Sequence, residues 1–122
     1  MIESVVIICN KSPIGKNSAI EAIRLGSGFM GLGEEIDCKI VLTGEAVFLV
    51  SKYADPTAIG MDSYEEALEM ADLSDLELDV IDTSLIEVGL TKKDLIDYDN
   101  LNIIDVNRLS EIVEEATTCF RF

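Results

Sequence analysis

Glu3 to Cys9 (ESVVIIC) is an almost unbroken β-branched run, and such a run reads as a strand covered on both faces, as in the interior of a parallel sheet. Four further strand patterns follow. They are Asp37–Thr43 (DCKIVLT), Leu76–Asp82, Leu101–Val106 and Thr118–Phe122. Helical patterns lie between them: one opening at Ser18-Ala19-Ile20-Glu21, a Ser-x-x-Glu capping box, and ending at Gly31 and Gly33, then Glu45–Tyr53, Ser63–Ala71, Lys92–Tyr98 and Asn107–Ala116. Asp55-Pro56 marks a turn. Strand and helix alternate because each parallel connection needs a right-handed crossover. The expected fold class is α/β, a three-layer α/β/α sandwich on a five-stranded, mainly parallel sheet. A length of 122 residues, 48% of them hydrophobic, suits a single domain spanning 1–122 with one sizeable core.

Charge and residue inventory exclude several functions. The chain has no histidine, so imidazole-based triads are ruled out. Nine basic against twenty-four acidic residues give a net charge of -15, which repels phosphate backbones and argues against nucleic-acid binding. The excess is lopsided: residues 61–122 hold four bases and seventeen acids, whereas 1–60 hold five and seven. A solvated acidic face is the commoner meaning of such a bias, with a docking surface for a basic partner as the alternative. No apolar stretch reaches the roughly 18 residues of a membrane span, and no secretory signal is recognisable, so a cytoplasmic protein with no membrane partner is expected.

In open α/β sheets ligands bind where strands end, so the loops after Cys9, Thr43, Asp82 and Val106 are the places for a site. Gly15-Lys16 ahead of a helix suggests a phosphate cradle, but Asn10 and Asn17 stand where a P-loop needs glycine and a hydroxyl. Gly26-Ser27-Gly28-Phe29-Met30-Gly31 matches a dinucleotide fingerprint, yet lies at the end of a helix, where small residues more simply permit close packing. The acids between Asp62 and Asp82 lack calcium-loop spacing. Without histidine or a Cys-x-x-Cys pair no zinc site is expected, and neither metal nor cofactor is called for. Three cysteines read as reduced thiols. Cys9 alone ends a strand at the ligand-binding edge, where helix amides would lower its pKa, although a buried inert thiol is the commoner case. The tract Asp79–Leu90 reads as a buried strand breaking into a hydroxyl-bearing loop with Thr83 and Ser84 and no strong nucleophile.

The whole chain resembles the DsrE/DsrF-like sulfur-relay family, in particular its DsrF or TusC branch. The likeness consists of the first strand entering Ser12-Pro13-Ile14-Gly15, a long helix, Ile40-Val41-Leu42 meeting Gly44-Glu45, the tract Ser84-Leu85-Ile86-Glu87-Val88-Gly89-Leu90, and the terminal Phe120-Arg121-Phe122. The resemblance implies a compact α/β/α fold, a homo-oligomer or a hetero-oligomer with related DsrE-like subunits, and a sulfur-carrier protein as a further partner. Competent relatives carry persulfide on a cysteine at the end of the strand before Ser-Leu-x-x-x-Gly-Leu. Here Ile81 holds that place, and a shift of one residue brings Val80 or Asp82, neither with sulfur. The departure implies a non-catalytic or ligand-holding subunit, with a pocket around Asn10, Ser12, Pro13, Gly15, Thr43, Gly44, Ile81, Thr83 and Ser84. One alternative is a sulfurtransferase whose carrier is Cys9. Another is a small-molecule or nucleotide binding module, for which the absence of tryptophan weakens flavin stacking.

Overall fold

The computed structural model describes residues 3–13, 17–33, 35–53, 60 and 64–122. Five strands form one sheet: β1 (Glu3–Cys9), β2 (Ile36–Leu42), β3 (Glu77–Ile81), β4 (Leu101–Ile104) and β5 (Thr118–Arg121), in the order β4-β3-β2-β1-β5. Every pairing is parallel. The chain lays down β1 to β4 side by side in one direction, then returns across the sheet to set β5 against the other side of β1. The β-branched run Glu3–Cys9 is thus an interior strand, as its composition requires.

Alternation along the strands divides the core. Val5, Ile7, Cys9, Cys38, Ile40, Leu42, Leu78 and Val80 face a large cluster covered by α1 (Ser18–Met30), α2 (Glu65–Leu73) and α3 (Asp82–Glu87). Val6, Val41 and Ile81 face the opposite side, where Ile112 of α4 (Val106–Glu115) closes a smaller cluster. Helix α1 approaches the sheet closely at Gly26, where a Cβ would stand 3.1 Å from Leu76 and 3.4 Å from Ile40. Gly26 therefore serves packing, and the stretch around it is the last part of α1 and its C-cap, not a phosphate loop after a strand.

Several local expectations are corrected. The Ser18–Glu21 capping box does not form: Asn17 is the N-cap, without a side-chain bond, and Glu21 pairs with Arg24 at 3.0 Å. Glu45–Tyr53 is a 3-10 helix over Gly44–Val50. Lys92–Tyr98 is helical only as a 3-10 turn, Lys92–Asp94, because Ile96 donates to the Val50 carbonyl at 2.8 Å and Leu95 bridges Ser51 in antiparallel fashion. The hydroxyl-bearing loop after β3 is the short helix α3. The turn at Asp55-Pro56 lies outside the described residues, as does Ser63, the expected start of α2.

Candidate functional site at the exits of the first three strands

Backbone bonds tie the carboxyl end of β1 to those of β2 and β5, and a side-chain bond adds the exit of β3. Thr43 donates its N–H to the Cys9 carbonyl at 2.9 Å, and Asn10 donates to the Phe122 carbonyl at 3.3 Å. Gly44 follows with φ +54°, a conformation in which glycine carries no Cβ penalty, and the Asn10 carbonyl oxygen lies 3.6 Å from where a Cβ would be. The Gly44 N–H donates to the Ser84 hydroxyl at 2.9 Å. Asn10, Thr43, Gly44 and Ser84 are thus brought together. Ser84 is buried, and Asn10 is exposed.

Other candidates scatter around this group. Pro13 is buried and Ser12 half-buried in the loop after β1, whereas Gly15 and the anion cradle proposed for Gly15-Lys16 lie outside the described residues. Thr83 is exposed, and its backbone N–H donates to the Asp82 carboxylate at 2.7 Å. Ile81 points away from the group, into the α4 cluster with Val6, Val41 and Ile112. Asp82 is the more accessible side chain where β3 ends. Asp82 is one of the two residues that a one-position shift brings to the family cysteine's place, and its carboxylate is an acceptor, not a sulfur nucleophile.

Cys9 has the buried placement that is the commoner one for such a thiol. Its odd position in β1 turns it into the large cluster, where it is 1% exposed and burial pushes its pKa up to about 12. Cys38 is likewise buried, with burial first and the neighbouring Asp37 charge second pushing it to about 12. Cys119 is exposed, but it sits on β5, separated from β3 by β1 and β2. None of the three thiols stands at the exit of β3. Among the described residues no group of three or more cysteine and acidic side chains could hold a metal ion, and no helix is long and apolar enough to cross a membrane.

The second face of the sheet carries an unusual buried acid. Asp79, 3% exposed, accepts a hydrogen bond from Asn102 Nδ2 at 3.0 Å. Desolvation raises its pKa above the ordinary carboxylate value, and the Asn102 bond opposes that rise.

Comparison with known proteins agrees with this architecture. The crystal structure of YchN from Escherichia coli superposes with a TM-score of 0.82 at 20% identity, covering 99% of this chain and 100% of that one. MTH1491 from Methanobacterium thermoautotrophicum, a protein of unknown function, superposes with a TM-score of 0.73 at 12% identity, with 100% of both chains covered. At such identities the likeness establishes the fold. No curated protein matches the chain significantly. A family model matches residues 3–122, and on that match the chain belongs to the DsrE/DsrF-like family.

Proposed function

We propose that the protein is a non-catalytic, TusC-like subunit of a cytoplasmic persulfide-relay assembly. It would act in a homo-oligomer or beside related DsrE-like subunits that carry the reactive thiol. The observation that supports this reading is the exit of β3, where Ile81 is buried under α4 and Asp82 is the accessible neighbour. A persulfide carrier needs a thiolate that can reach solvent, attack and then present its outer sulfur. Two of the three thiols are buried with raised pKa values, and the third is on a distant strand. What the edge offers instead is the hydroxyls of Thr43 and Thr83 beside a brace made by Gly44 and the buried Ser84, suited to holding a partner's loop or a small ligand.

Intact mass measured after incubation with a persulfide donor tests the reading. A Cys119→Ser variant removes the accessible thiol, and this variant is expected to gain no sulfur. A gain that disappears when Cys9→Ser is added would make Cys9 a carrier and overturn the proposal. Mixing the protein with a related subunit that holds the family cysteine is expected to yield a stable complex by size measurement.

A further inference from the structure

Strand β4 closes one side of the sheet and, among the described residues, pairs only with β3. Leu78 donates its N–H to the Asn100 carbonyl at 2.9 Å, so by ladder alternation Asn102 and Ile104 also turn their polar groups toward β3. Ile103 then directs its N–H and C=O outward. Such an edge is a template for another extended chain, and proteins usually guard it with proline or charge. The sequence LNII has neither, and Ile103 is 39% exposed.

A groove of about 450 Å3 runs beside this edge, with Leu95, Tyr98, Leu101 and Ile103 as its apolar wall. Tyr98 is held in place by donating its hydroxyl to the Leu76 carbonyl at 2.6 Å. Through Ile96, Asp97 and Tyr98 the groove continues into a second depression of about 300 Å3, between α2 and the segment leading into β4. Glu69, Asp72, Asp97 and Asp99 line that depression, and none of the four is in a salt bridge among the described residues. A second copy of the chain would bring two such acidic surfaces together, which like-charge repulsion opposes.

We infer that the outer edge of β4 and its groove receive an extended segment of another protein that bears lysine or arginine. The segment adds as a further strand, places apolar side chains against Leu101 and Ile103, and lays basic ones toward Asp97 and Asp99 at the amino end of β4. Main-chain pairing supplies the grip, and the apolar wall and the carboxylates select the sequence. Nothing in this docking depends on the sulfur-relay reading, since it lies on a different rim of the sheet.

Fluorescence anisotropy with a labelled peptide tests it. The probe alternates threonine with two lysines and then two valines, and is made in both chain directions. One direction is expected to bind at least about tenfold more tightly than the same peptide with glutamate for lysine, and to weaken as salt rises. Methylating alternate backbone nitrogens of the probe keeps its charge but removes strand pairing, and is expected to weaken binding by about tenfold or more. The exposed double variant Asp97→Asn, Asp99→Asn, checked for folding by circular dichroism, is expected to lose most of the preference for lysine. Equal binding of the glutamate peptide, or undiminished binding of the methylated one, overturns the inference. A dimer that Ile103→Lys dissolves also overturns it, because the edge would then belong to a second copy.

Discussion

The hydroxyl of Ser84 accepts the backbone N–H of Gly44 at 2.9 Å, joining the first turn after β3 to the first turn after β2. Neither residue can be replaced without disturbing the other. Ser84→Ala leaves the Gly44 N–H without that acceptor and is expected to destabilise the protein by about 1–2 kcal/mol. Gly44→Ala places a Cβ at φ +54° and is expected to cost a similar ~1–2 kcal/mol. Urea unfolding of the two single variants and the double variant checks both. The pair is expected to be non-additive, since both changes act on one junction.

Thiol accessibility gives a second prediction. Cys119 is exposed, whereas Cys9 and Cys38 are buried with pKa values near 12. Reaction with a thiol reagent at neutral pH is expected to label one site quickly, and that site is expected to vanish in Cys119→Ser. The other two should react only after denaturation. Rapid labelling of Cys9 in the folded protein would contradict the burial described for β1.

Asp79 sets a dependence of stability on pH. Its folded pKa is raised, so the folded state holds the proton more firmly than the unfolded state and stability falls as pH rises from the unfolded toward the folded value. Above both values the penalty of a buried charge is fully present. Asp79→Asn keeps a side-chain oxygen for the Asn102 bond and is expected to be at least as stable as the wild type at neutral pH. That advantage should shrink as pH is lowered through the folded pKa toward the unfolded one. Urea midpoints measured across that range check the sign.

Ile81 anchors the α4 side of the sheet. Truncation to alanine opens a cavity among Val6, Val41 and Ile112 and is expected to cost about 2–4 kcal/mol. Exposed neighbours such as Thr83 are expected to tolerate alanine within about 0.5 kcal/mol. Thermal and urea denaturation of the two variants separates them.

Much of the fold is legible because strands buried on both faces leave a plain mark: Val5-Val6-Ile7-Ile8 and Lys39-Ile40-Val41-Leu42 can hardly be anything else. The site is less legible because it depends on side-chain parity and on contacts far apart in the chain. Cys9 ends its strand at the expected edge, yet a single step of alternation turns its thiol inward. Ser84 looks like a loop hydroxyl until α3 carries it beneath Gly44, forty residues away. The false capping box at Ser18 shows the limit of a short motif, since Glu21 finds Arg24 instead of the backbone. Strand order is likewise invisible locally, being set by which crossover turns back.

That turning back has a consequence for biosynthesis. The Ser4 N–H reaches the Thr117 hydroxyl across 113 positions, and the Thr117 N–H and the Phe122 N–H donate to the Ser4 and Ile8 carbonyls. A nascent chain leaving the ribosome therefore carries one flank of β1 bare until β5, made so much later, has emerged, which makes β1 a natural client for chaperones and its pairing with β5 a slow contact to win.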